Sequence, residues 1–155
     1  MEVVERGEMI MAGLLVHAPL QRLGEEIPKA WQQLFEQAAE LERIKIASYL
    51  DASLDIIDSK YLQLVGIAVR QAASIPRDLV GIHIPAQRLL HHRHVGSTAT
   101  IRETFGAMYF WADQNGLKLS EFKVDMGYTP DGAEKEHDLY IGLWPEAGWH
   151  YIEAI

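Results

Sequence analysis

Between residues 120 and 145 the chain reads SEFKVDMGYTPDGAEKEHDLYIGLWP, two alternating stretches around a polar loop. In the first, Glu121, Lys123 and Asp125 alternate with Phe122, Val124 and Met126. In the second, Asp138, Tyr140 and Trp144 alternate with Leu139, Ile141 and Leu143. A period of two is the signature of strands with one buried face. With the six aliphatic and aromatic alternates turned to the core, the other face collects Glu121, Asp125, Asp138, Tyr140 and Trp144. A half-solvated antiparallel sheet makes such a face without any function. The rings argue for more, because tyrosine and tryptophan attract cations through the ring quadrupole. A partly buried carboxylate is costly when unpaired and is best satisfied by a cationic guest. The chemistry on offer is recognition of a positively charged small molecule.

Other chemistries find less support. His91, His92 and His94 resemble a metal cluster, but on a strand His91 points away from the other two, and no third ligand is evident. His17, His83, His137 and His150 are scattered without ligand spacing. Ser97, Thr98 and Thr100 lie near histidine, yet no G-x-S-x-G elbow surrounds them, and helix capping explains their hydroxyls. The chain contains no P-loop, no G-x-G-x-x-G and no cysteine, which removes disulfides, thiolate catalysis and cysteine-held zinc. No catalytic residue, metal or cofactor is called for. Trp31 and Trp111 read as core residues on helices, and Trp111 is kept as a candidate for the border of a pocket.

A length of 155 residues suits a single domain, residues 1–155, with a core that needs no cross-link. The formal charge of −8 repels a phosphate backbone, and the short basic run RLLHHRH makes no stripe, so direct nucleic-acid binding is not expected. The apolar run MIMAGLLVHAPL is too short to span a bilayer and follows the net-acidic MEVVERGE, unlike a signal peptide. It reads as a buried strand of a cytoplasmic protein with no membrane partner.

The elements that must position the acids and rings follow from periodicity. Residues 8–17 form a strand. After a polar linker containing Gly24, a helix carries Ile27, Trp31, Leu34, Phe35, Ala38 and Leu41 on one face, with Pro28 in its first turn. Two strands follow, YLDASLDII and YLQLVGIAV, with a turn at DSK. SIPRDLVGIHIP is a bridge. AQRLLHHRHV is a strand and STATIRETFGAMYFWADQNG a helix, with Thr100 and Glu103 spaced as a capping box and Asn115-Gly116 as a stop. Both halves thus read strand, helix, strand, strand, with pseudo-repeats at about 5–75 and 80–145. The expected fold is α+β: duplicated βαββ units pair into a curved antiparallel sheet, with two helices on one face and a ligand cleft between the units. The tail EAGWHYIEAI suits either a sheet edge or a homodimer contact.

The second half resembles the effector-binding domain of the GyrI-like family. The resemblance rests on Ile84-Pro85, His94-Val95-Gly96, Trp111, Asn115-Gly116, EFKVDMGYTP and DLYIGLWP, and covers about residues 80–145. It implies a small-molecule sensor of the kind often fused to an AraC-type or MerR-type DNA-binding arm. In drug-sensing, multidrug-binding members a buried glutamate on the penultimate strand pairs with lipophilic cations among aromatic rings. That role falls on Glu121, or in another register on Asp125, with Asp138 as the acid of the last strand. With no arm before the first strand, the expectation is a freestanding ligand-binding module. Tyr140-Ile141-Gly142 replaces a family-like Y-I-P. The resemblance leaves two alternatives: a hydrolase using Glu121 and Tyr140, or a protein partner that inhibits or protects a larger enzyme.

Overall fold

The computed structural model describes residues 1–152. The chain runs β1 (Glu2–Arg6), β2 (Met9–Ala18), α1 (Leu20–Phe35), α2 (Ala38–Ile44), β3 (Tyr49–Ile57) and β4 (Lys60–Val69). It continues with β5 (Val80–Ile84), β6 (Gln87–Val95), α3 (Ile101–Gln114), β7 (Leu119–Tyr128), β8 (Glu136–Leu143) and β9 (His150–Tyr151). The strands form one antiparallel sheet in the order β1-β6-β8-β7-β3-β4-β2-β5-β9. β2-α1-β3-β4 and β6-α3-β7-β8 have the same element order, apart from the short α2, and meet where β3 pairs with β7.

Two short links force the sheet to curl. Gly7 and Glu8 alone join β1 to β2, and Pro85 and Ala86 alone join β5 to β6. In each case the joined strands lie six places apart in the sheet. A flat sheet would separate them by about 29 Å at the usual strand spacing. Three Cα steps reach only about 11 Å. The sheet therefore bends until its ends approach. The inside of the bend is a core in which Met11, Ile82 and Ile84 from one end pack with Leu89 and Tyr140 from the other, over Leu50, Phe122, Val124 and Met126. The helices cover the outer face. α1 seals Ala12, Tyr49 and Ile67 with Leu34 and Trp31, and α3 seals Leu90, Leu139 and Ile141 with Ile101, Met108 and Ala112.

Local signals hold at several ends. Asp58 and Ser59 take φ of 51° and 65° in the turn between β3 and β4, the left-handed pair that suits a two-residue hairpin. Gly116 at φ 72° lets the Leu117 amide donate back to Ala112 O at 2.9 Å, closing α3. Other expectations are corrected. α1 begins at Leu20, so Pro28 lies inside the helix; the expected linker is its first turns, tied by Arg22–Glu26 and Lys29–Glu25 pairs at 3.0 and 3.3 Å. Thr100 makes no side-chain cap; its hydroxyl donates to Ser97 O at 2.8 Å, and the Ser97 hydroxyl receives the Ala99 amide. The bridge contains β5, and β9 in the tail pairs with β5 at the sheet edge. Tail residues 153–155 lie outside the described residues.

One close approach is a test of the packing. Gly13 and Gly66 face each other across β2 and β4. A Cβ on Gly13 would collide with the Val65 carbonyl, and one on Gly66 with the Ala12 carbonyl. Gly66→Ala should lower the unfolding free energy by about 2–4 kcal/mol in urea denaturation. Gly106→Ala, in open space on α3, should raise it by roughly 0.5–1 kcal/mol.

Candidate functional site

The seam between the two halves carries acids on its helix side. In the β3–β7 register Asp51 stands directly opposite Asp125. Its strand neighbours Leu50 and Ala52, with Val124 and Met126 across the pair, point into the curled core. Asp125 is 5% exposed, and both of its oxygens are engaged. Oδ1 accepts from His137 Nδ1 at 2.7 Å, and Oδ2 accepts the Tyr128 hydroxyl. Asp51 receives a hydrogen bond from Gln63 Nε2 at 2.9 Å on Oδ1. Its other oxygen receives none from the described residues.

The electrostatics follow from this geometry. Burial, and then the charge of Asp125, push the Asp51 carboxyl up to about 7, against the Gln63 hydrogen bond, which favours the charged form. For His137, burial alone would disfavour the imidazolium. The Asp125 hydrogen bond and charge, with Glu134 and Asp138, outweigh burial and raise its pKa above the ordinary value. Its Nε2 is buried without a hydrogen bond, 3.9 Å from Glu134 Oε1. Burial, Asp125, Asp51 and Glu134 keep the Tyr128 phenol protonated far above its normal range.

Above the acids lies a groove of about 300 Å³, open to solvent. Asp51, Ser53, Gln63, Lys123, Asp125 and Tyr128 form its floor, and Thr98, Ile101, Arg102 and Phe105 its α3 side. Tyr128 leans on Trp31 of α1 with ring centroids 4.8 Å apart, so both helices bear on the floor. Lys123 is held away from the acids. Its Nζ donates to Glu121 O at 3.0 Å, lies 3.6 Å from the Glu121 carboxylate, and sits 5.3 Å over the Tyr109 ring. Burial lowers the Lys123 pKa, opposed by Glu121 and Glu146.

The residues singled out from the sequence are divided by the structure. Asp125 lines the groove. Glu121 is exposed and serves Lys123. Asp138 and Tyr140 lie on the opposite face of the sheet, because Val124 pairs with Tyr140 and Met126 with Asp138, while Asp125 pairs with Leu139. Alternation within each strand was right; the expected sharing of faces between the two strands was not. Tyr140 is buried, accepts from Arg6 Nη1 at 3.0 Å, and borders a small apolar pocket of about 20 Å³ inside the curl. Asp138 meets His91 Nε2 at 2.8 Å. Trp144 lies past the end of β8, 55% exposed, with Lys118 Nζ 4.5 Å over its ring. Trp111 is half-buried in the α3 core. Glu121 and Tyr140, the expected hydrolase pair, do not meet.

Sequence reasoning missed Asp51, Gln63, Tyr128 and His137. The alternation in YLDASLD marked Asp51 as clearly as it marked Asp125, but nothing local shows that the two strands pair. His94 is buried, with its nitrogens 2.8 Å from Thr104 Oγ1 and 2.9 Å from Ser97 O. Among the described residues no three metal-ligating side chains converge, and no helix is long and apolar enough to cross a membrane.

A family model described as the GyrI-like small molecule binding domain matches residues 1–144. This chain belongs to the GyrI-like family. Solved structures share its fold at low identity. SAV2435, bound to tetraphenylphosphonium, is 10% identical with a TM-score of 0.73, covering 93% of each chain. The EcmrR C-terminal domain is 15% identical with a TM-score of 0.63, over 92% of this chain and 95% of that one. A hydrolase encoded by lin2189 of Listeria innocua is 12% identical with a TM-score of 0.59, over 92% and 90%. No curated protein matches the sequence.

The opposed acids predict a pH-dependent stability. An aspartate raised from its unfolded value favours the native state least above its folded pKa, where the folded chain must hold the extra charge. Asp51→Asn should therefore be more stable than the native chain at pH 8, by about 2 kcal/mol. The gain should shrink as pH falls through 7 and vanish near pH 4, as read by urea denaturation across that range.

Proposed function

We propose that this GyrI-like domain binds a cationic, partly aromatic small molecule in the groove over the β3–β7 seam. Asp51 and Asp125 supply the negative charge, and Phe105 and Tyr128 supply rings. The observation that carries this reading is the directly opposed carboxylate pair on the groove floor, of which Asp51 keeps an oxygen without a hydrogen-bond partner among the described residues. A carboxylate so placed gains most from a guest that brings its own positive charge. The aromatic sides suit a flat or aryl-bearing guest through ring stacking and cation–π attraction. The presence of tetraphenylphosphonium in the SAV2435 structure supports the same class of ligand. Of the acids chosen from sequence, Asp125 takes the charge role, and Glu121 acts indirectly by holding Lys123.

Thermal stabilisation tests the proposal. Tetraphenylphosphonium at 100 times its Kd should add about 2.7 kcal/mol of stability. Triphenylphosphine oxide, aromatic but neutral, should add far less. Asp125→Asn and Tyr128→Leu should each weaken cation binding by about tenfold or more. Equal stabilisation by the neutral compound, or unchanged affinity in both variants, would contradict the reading.

Hydrolysis of a bound molecule is a second reading, favoured by the same Asp51. A groove carboxyl that titrates near neutrality has the properties of a general base for water. Product formation that disappears in Asp51→Asn would support the hydrolase; recovery of unchanged guest after long incubation would support simple binding.

A further inference from the structure

We infer that the groove exchanges a proton for its guest: the empty site holds a proton on Asp51, and entry of a cation expels it. The inference rests on the cation-binding reading above and deepens it. Its basis is an asymmetry within the opposed pair. Asp125 already accepts from His137 and Tyr128, so both of its oxygens are engaged. Asp51, on the groove floor, has Gln63 on one oxygen and no partner among the described residues on the other. With Asp125 facing it across the seam, a second negative charge at Asp51 is opposed unless a positive charge accompanies it. A proton fills that need in the empty site, and a cation fills it in the occupied one.

The surrounding groups leave this role to Asp51. From β7 it faces Asp125, Lys123 and the Tyr128 phenol, and from β4 the neutral amide of Gln63. The Lys123 ammonium is held instead by Glu121. Arg102 of α3 is exposed at the groove wall. From β8, His137 reaches the pair only through Asp125, with Glu134 behind it. α1 presents the Trp31 ring to Tyr128 and no charge to this floor. Burial and Asp125 raise Asp51 into the physiological range, which is where such an exchange would be felt.

The exchange is a balanced step. The O–H bond of the Asp51 carboxyl breaks, its proton passes to solvent or buffer, and the carboxylate left behind pairs with the cation. A permanent cation isolates the effect, because tetraphenylphosphonium has no proton of its own to lose. Calorimetric titration of the full chain with this probe, in two buffers of different ionisation enthalpy, counts the protons released. Release should approach one per cation at pH 5.5 and fall below about 0.1 at pH 8.5. Affinity should rise about tenfold per pH unit below 6.5 and level off above 7.5. Asp51→Asn should flatten the profile to within about twofold over the range. Gln63→Leu, which removes the hydrogen bond favouring the charged form, should move the inflection to higher pH.

Binding without proton release at any pH would overturn the exchange and leave the cation-binding reading standing. A slope that persists in Asp51→Asn, or an inflection unmoved in Gln63→Leu, would assign the proton elsewhere and overturn the inference. No binding of the cation at any pH would overturn both readings.

Discussion

The antiparallel pairing of β3 with β7 is the constraint on which the rest of the molecule depends. It joins the two similar halves, and its register decides what each face of the seam contains. Leu50 meets Met126 and Ala52 meets Val124 on the inside of the curl. One step along, Asp51 meets Asp125 on the helix side. A one-residue slip of β7 would bury Asp125 in the apolar core and turn Val124 and Met126 toward the groove. The apolar inner face thus enforces the register, and the register in turn opposes two carboxylates that would otherwise avoid each other.

The surrounding structure makes that opposition tolerable without abolishing it. His137 and Tyr128 satisfy Asp125, and Gln63 partly satisfies Asp51. Glu121 draws the one nearby lysine aside. What remains is an opposed carboxylate pair at the centre of the sheet, beside aromatic rings, on a groove open to solvent. The curl supports this arrangement from behind. Because Gly7-Glu8 and Pro85-Ala86 pull the ends of the sheet together, the face without helices closes into a core of its own. α1 with α2 on one side and α3 on the other then cover only parts of the outer face, and the seam between them stays accessible.

The strands around DSK, the helix stop at Asn115-Gly116 and the repeated strand–helix–strand–strand order were legible because each depends on nearby residues. The α+β class and the curved sheet with both helices on one face followed from that order. The choice of face was not legible across strands. Phe122 and Leu139 each alternate with polar neighbours, yet register puts Phe122 inside the curl and Leu139 beneath α3. The sheet has two buried faces, so apolar residues on neighbouring strands need not share one. The same non-local pairing hid Asp51, which lies far from Asp125 in sequence and opposite it in space. Pro28 misled because a proline near the expected start of a helix reads as its first turn, whereas here the chain is already helical from Leu20 and pairs Arg22 with Glu26.

Burial and the partner across the seam hold the Asp51 carboxyl well above the ordinary aspartate range. Carbon-detected NMR of the side-chain carboxyls, in the protein without ligand, reads that ionisation directly. A ¹³C shift for Asp51 that titrates with its midpoint near 7, moving toward the acidic range in Asp125→Asn, is the predicted result. A midpoint near 4, the value of a free aspartate, would contradict the account.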